Sequence, residues 1–325
     1  MRAGRVPRMP RWLGQPRHGS RAWYCPFTLA SGSDPRHESR VALLARTPSG
    51  PQVSDFSDCF LLVFGQLAVG GLAALAVPPF AVLQRGFYKS SACVFLGCAL
   101  LFIVGRATLA VRAGDLISGR AVELTLWTTF AAAFAAYLAS LWGEEPRLRA
   151  RTYPAALFFG VAALCASALA HRLGTVGSAA ALLYPLSFLT GALALGAVAT
   201  GMLLGHWYLI DLGLSIGPLE RLLRYFVAVL VLHVAVLALT LVVMALAPGA
   251  GTAAVAKLWH EHRSLLAARF LLGPLAALGL GYLIHRTLRI PQTMAATGLF
   301  YIAILAVMVG ELLGRLILFR TSLPL

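Results

Sequence analysis

The stretch Leu299-Phe-Tyr-Ile-Ala-Ile-Leu-Ala-Val-Met-Val-Gly-Glu311-Leu-Leu-Gly-Arg315-Leu-Ile-Leu-Phe319 interrupts a long apolar run with one acid and one base. Wound as an α-helix, a run of this length reaches about 30 Å, the thickness of a bilayer's hydrocarbon core. An ionised side chain at that depth is costly, so such groups usually pair and usually serve a function. Glu311 and Arg315 stand four residues apart and so share one helix face, with the acid N-terminal to the base, the favourable order. The segment therefore predicts a membrane-crossing helix that carries its own ion pair. The plainer alternative is a helix-end pair in which Arg315 snorkels to the interface.

The rest of the chain agrees with that reading. Hydrophobic residues make up 59%, charged residues 12%, and the mean hydropathy is +0.80. Soluble domains are about one-quarter charged. Eight apolar segments are long enough to cross a bilayer as helices, at about 60–83, 92–111, 122–142, 153–170, 179–204, 222–247, 265–284 and 293–319. The expected fold is all-α, a polytopic bundle of about eight transmembrane helices over residues 53–325. No Walker loop, GxGxxG after a strand, HExxH or GxSxG is present. A self-contained hydrolase or nucleotide enzyme is thereby excluded as the leading reading.

Residues 1–52 break the pattern. They hold nine Arg, no Lys and many Pro, Gly and Ser, with no run able to form a core, so disorder is the physical expectation. Arg outnumbers Lys 25 to 2 over the chain, the signature of a GC-rich genome. In such DNA, sequence upstream of a gene often reads open in these residues. Val53 is then the expected start, read from GTG. N-terminal sequencing of native protein decides this: no peptide between Arg2 and Arg46 is expected, and recovering one overturns the assignment.

Lys and Arg in short loops mark the cytoplasmic side. The odd connections carry Arg85, Lys89, Arg147, Arg149, Arg151, Arg221, Arg224, Arg286 and Arg289, nine in all; the even ones and the C-terminal end carry Arg112, Arg120, Arg172, Lys257, Arg263 and Arg320, six in all. The odd connections are expected inside and both termini outside, in a bacterial cytoplasmic membrane. The net charge of +15 is thus no sign of nucleic-acid binding, because the 1–52 segment and the loop arginines account for it.

Few polar residues lie within the spans. Gln66 sits beside Gly65, Gly70 and Gly71, as Glu311 and Arg315 sit beside Gly310 and Gly314. Such small residues let helices approach, so the first and last helices are expected to touch, with Gln66 close to the Glu311–Arg315 pair. Arg106 and Glu123 flank the second connection and can pair near one membrane face. His206 closes the fifth span, beside an interfacial Trp207-Tyr208 pair, where it could donate or accept a proton at the membrane surface. His233 is the histidine nearest mid-membrane; it could bond a neighbouring helix, relay protons or ligate haem. Bis-His haem ligation fails on depth, since His206 lies at a helix end and His233 about 15 Å or more inward. Cys25, Cys59, Cys93, Cys98 and Cys165 show no metal spacing, and 257–263, with His260 and His262, reads as a solvated interfacial stretch rather than a metal site.

Val63-Phe-Gly-Gln66-Leu-Ala-Val-Gly-Gly71 in the first span and Val309-Gly-Glu311-Leu-Leu-Gly-Arg315 in the last resemble the terminal helices of the membrane anchor subunit of dimethyl sulfoxide reductase. That family has eight spans with both ends outside. The resemblance implies a quinol-oxidising anchor, without a tightly bound redox cofactor, working with a four-cluster iron–sulfur subunit and a molybdopterin catalytic subunit. Quinone or quinol would be its diffusible substrate. These anchors carry His-Leu-Gly near the end of the second helix, where this chain has Val104-Gly-Arg106-Ala107. The quinone and proton-path candidates are therefore Gln66, His206, His233, Glu311 and Arg315. The readings from other classes are a proton-coupled carrier lined by Glu311, Arg315 and Gln66, and a structural membrane subunit with no site.

Overall fold

The structure, a computed structural model, describes residues 53–113, 120–143, 145–172, 177–211, 213–290 and 292–325. The expectations for residues 1–52 lie outside these. Among the described residues the regular elements are helices alone: α1 Val53–Ala74, α2 Arg85–Ala113, α3 Arg120–Ser140, α4 Pro146–Ala170, a single turn α5 Ser178–Ala181, α6 Leu183–Ile210, α7 Gly217–Leu246, α8 Ala250–Glu261, α9 Arg263–Phe270, α10 Ala276–Leu288 and α11 Thr293–Thr321. A π-helical turn, Leu271–Leu275, joins α9 to α10 so that 263–288 is one continuous span. Among the described residues, eight helices are long and apolar enough to cross a membrane. The chain is a multi-pass, all-α protein of membrane-spanning architecture.

Several span ends differ from those the hydropathy predicts. The first span stops at Ala74 rather than at 83, because Pro78-Pro79 follows. Proline has no N–H to donate and pushes the residue before it out of helical conformation. The α1 carbonyls left without helical partners are taken up by tyrosines: Tyr153 donates to Leu72 O at 3.1 Å, and Tyr88 donates to Pro78 O at 2.9 Å just beyond. The second and fourth spans start earlier than predicted, at Arg85 and at Pro146, the latter a proline at a helix start where no N–H is needed. Polar residues hid these first turns from a hydropathy reading.

Composition places α6 at the centre. Its inward positions include Gly191, Ala192, Ala194, Gly196, Ala197, Gly201 and Gly205, and 78% of its most apolar window is buried, the largest share of any span. In lipid, where apolar surface gains little from leaving the tails, small residues bind helices by letting backbones approach. Each glycine admits a particular neighbour. Gly196 faces the backbone of Gly70 on α1, Gly201 takes the Phe300 ring and Gly205 takes Thr297, both of α11. Helices α2 and α3 contribute Phe95, Phe102, Trp127, Phe130 and Phe134, all fully buried; Phe95, Phe102 and Trp127 pack on the α1 glycines, and Phe130 packs on Gly160 of α4.

Polar contacts gather the odd connections at one end. Gln84 bonds Asp211 at 3.0 Å, Arg85 bonds Gly143 O at 3.3 Å, Lys89 lies over Trp142 and Arg149 over Phe80. At the other end α11 stops at Ser322 in the left-handed conformation, φ 59°, and the chain folds back so that Tyr184 donates to Ser322 O at 2.7 Å. Helix α8 lies in the sixth connection, with Gly251, Ala254 and Leu258 buried and Trp259 exposed. Lys257 on α8 and Arg149 thus belong to opposite ends. Cysteines placed singly at these two positions are expected to label from opposite sides of a sealed vesicle; labelling from one side overturns the helix count.

Candidate functional site

A cluster of polar side chains from five helices meets at the Glu311 carboxylate. Arg269 of α9 donates from Nη2 to Glu311 Oε1 at 2.6 Å, and Arg315 donates from Nη2 to Oε2 at 3.2 Å. Gln66 of α1 donates from Nε2 both to Glu311 Oε2 at 3.0 Å and to the Phe188 carbonyl of α6 at 3.1 Å. His233 of α7 places Nε2 at 3.0 Å from Glu311 Oε1 and 2.9 Å from Arg269 Nη2, while its Nδ1 is 2.8 Å from Thr190 Oγ of α6. All of these side chains are buried, Gln66 and Arg315 with no exposed surface. Glu311 lies ten residues, about 15 Å, and Gln66 eight residues, about 12 Å, from the nearer end of its span, well inside the membrane.

Backbone choices make room for the cluster. At Gly191 a Cβ would come within 2.8 Å of both Gln66 Nε2 and Glu311 Cδ, so only glycine leaves the carboxylate its space against α6. Pro274 withholds an N–H from the span that carries Arg269, and the helix absorbs this as the π-turn. The turn brings Gly273 against the Gly310 backbone, and Arg269, one turn earlier, comes level with Glu311 on the facing helix. Arg315 also lays its guanidinium 3.8 Å from the centre of the Phe188 ring, a cation–π contact that holds it from the α6 side.

The predicted residues fall out as follows. Gln66, His233, Glu311 and Arg315 come together in one network, and α1 meets α11 through Gln66. His206 does not join them. It is exposed at the opposite end of α6, sixteen residues from Thr190, about 24 Å along the helix. The glycines flanking Gln66, expected to admit the last helix, face other partners: Gly70 meets α6, Gly71 meets Phe95, and Gly65 meets Trp127 and Phe102. Those beside Glu311 face Gly273, Arg269 and Leu325. Arg269 and Thr190 were not anticipated.

The network cannot satisfy every contact with one proton arrangement. Thr190 Oγ already donates to Leu186 O at 2.9 Å and so can accept from His233 Nδ1–H, leaving Nε2 to accept from Arg269. That tautomer sets the Nε2 lone pair against Glu311 Oε1 at 3.0 Å. A proton on Nε2 or on Oε1 relieves this contact, the first at the expense of the Arg269 bond. His233, Glu311 and Arg269 thus form a triangle in which a proton has more than one resting place. Two guanidiniums against one carboxylate also leave a positive surplus, and Arg315 Nη1 and Nε, Arg269 Nε and Gln66 Oε1 have no hydrogen-bond partner among the described residues.

A second network closes the other bundle wall near the even connections. Arg106 bonds Asp58 at 2.6 Å and Glu123 at 2.9 Å, as the expected Arg106–Glu123 pair with Asp58 added. Glu123 accepts from Ser167 Oγ at 2.5 Å, which in turn accepts from Trp127 Nε1 at 3.0 Å. Beyond the α4 span, His171 bonds Ser167 O through Nδ1 at 2.8 Å, and burial holds its imidazole below the usual range. Each group here has one evident arrangement, which marks it as a clamp between α1, α2, α3 and α4. Among the described residues no three His, Cys, Asp or Glu side chains converge as a metal site would need.

No protein-family model, curated protein or solved structure matches the chain.

Proposed function

We propose that this chain is the membrane subunit of an oxidoreductase complex and exchanges electrons with the quinone pool, the His233–Glu311–Arg269 triangle moving the accompanying proton. The observation that carries the reading is a neutral-capable imidazole in hydrogen-bond contact with a carboxylate near mid-membrane, arranged so that one proton has alternative positions. Quinol oxidation releases two protons, and histidine is the side chain whose ordinary pKa suits their passage. The motif likeness around Gln66 and around Glu311–Arg315 supports the same reading, and the structure brings those two motifs into contact. The partners would be an iron–sulfur subunit and a molybdopterin catalytic subunit, with redox centres supplied by them. The odd connections would face the cytoplasm of a bacterial cell and the end of α11 the opposite side.

Purifying the chain from native membranes in mild detergent tests this. Iron–sulfur and molybdopterin subunits are expected to come with it, with quinol-dependent activity. A chain that purifies alone, or with soluble partners that hold no redox centre, overturns the reading. One observation favours a second reading, a proton-coupled carrier: the seventh span is interrupted by a π-turn beside the charged network, and carriers often break helices at their sites. Proton flux driven by a solute in proteoliposomes of the purified chain would establish that instead.

A further inference from the structure

Away from the network, α7 and α10 enclose a lateral groove of about 430 Å³ at the end of the molecule where the odd connections gather. Its floor is apolar, built by Val227, Leu278 and Gly281. Gly281 keeps it open, since a Cβ there would press to 3.2 Å on Val227. One end is polar, lined by Arg224, Tyr282 and His285. Further bases adjoin that end: Arg286 and Arg289 follow His285, with Arg286 donating to the Tyr282 hydroxyl at 3.4 Å, while Arg221, one turn before Arg224, lines a different cavity with Arg149 and Tyr153. Among the described residues no carboxylate forms an ion pair with Arg221, Arg224, Arg286 or Arg289. Arg224 is seven residues, about 10 Å, into a 30-residue helix, so its long side chain reaches headgroup level by snorkelling.

We infer that this groove is a binding site for an anionic phospholipid, its phosphate held by Arg224 and His285 and an acyl chain lying along the Val227–Gly281 floor. Charge complementarity selects the occupant. Basic pockets between transmembrane helices hold anionic headgroups, and each Lys or Arg near the surface adds to the attraction. A zwitterionic lipid would offer the same chain but bring its own cation to the basic end. A quinone would offer neutral carbonyls and leave the bases without a counterion. The site is independent of the redox reading.

The full chain in nanodiscs of phosphatidylcholine with a minor share of phosphatidylglycerol tests the inference by native mass spectrometry. Wild-type protein is expected to retain phosphatidylglycerol preferentially, and Arg224→Gln to weaken that preference about fivefold, the effect of one basic group near the surface. Arg147→Gln, at the same end but outside the groove, should leave the preference unchanged. Equal retention of the two lipids, loss of preference in Arg147→Gln to the same degree, or recovery of a quinone from the groove each overturn it. Photo-crosslinkable phosphatidylglycerol supplies a variant-free readout. Crosslinks are expected on peptides of 223–228 and 278–285 and should be competed by phosphatidylglycerol alone; crosslinks spread over all helices contradict the site.

Discussion

Replacing Glu311 by Gln is expected to be the most damaging single change in the protein, lowering stability by about 3–5 kcal/mol. It leaves Arg269 and Arg315 buried near one another with no counter-charge, where at present they share one carboxylate. Arg315→Met should be the mildest change at the cluster. It leaves Arg269 and Glu311 as a neutral pair at 2.6 Å, and the lost bond is the longer one, at 3.2 Å. The double variant Glu311→Gln/Arg315→Met should be less harmful than the sum, because it removes one of the two repelling cations. Thermal or denaturant unfolding of the detergent-solubilised protein measures all three. Additive effects would show that the residues act independently, as a snorkelling Arg315 would require.

A second large loss is expected at the crossing of α1 with α6. A Cβ at Gly70 would penetrate the Ala192 carbonyl, and one at Gly196 would penetrate the Gly70 backbone. Backbone cannot rotate aside as a side chain can, so the two helices must separate. Gly70→Val is expected to cost about 3 kcal/mol, the upper end of ordinary overpacking. It should also weaken the Gln66–Glu311 bond one turn away. Gly97→Ala is the control: nothing lies within 4 Å of a Cβ there, and the gain in helix propensity should make it neutral or stabilising by up to about 1 kcal/mol. Equal loss in the two variants would mean that close approach of α1 and α6 is not what holds the bundle.

The bundle was legible because bilayer thickness acts on each segment separately, and a run of apolar residues states its own fate. Helix ends were less so: Arg85 and Arg147 sit in helical first turns, with Lys89 just after the first of these, and their polarity hides them from a hydropathy reading. The site was partly legible by the same rule that exposed Glu311 and Arg315, that a charge within an apolar run must find a partner. Arg269 obeys that rule and was missed. The loop tally assigns every arginine beyond residue 52 except Arg106, Arg269 and Arg315, and all three prove to be held in ion pairs, Arg269 and Arg315 fully buried and Arg106 partly. Thr190 carried no such signal, since a hydroxyl that bonds its own helix turn costs little anywhere in a span. Of the helix neighbours, only the meeting of α1 with α11 was legible, through Gln66 and Glu311. The others rest on steric fits, such as Gly70 on Ala192, between residues far apart in the chain.

The proton role of the triangle is the central claim, and His233→Gln tests it most directly. Glutamine keeps hydrogen-bonding atoms for Thr190 and Arg269 but cannot take up a proton. On the proposed reading, the measurement is turnover of a soluble quinol analogue by the complex that purifies with the chain, compared at equal content of the proposed partner subunits. The account predicts a fall of about a hundredfold, the lower range for loss of a positioned proton-transfer group, with assembly intact. Wild-type turnover in a fully assembled His233→Gln complex would contradict it.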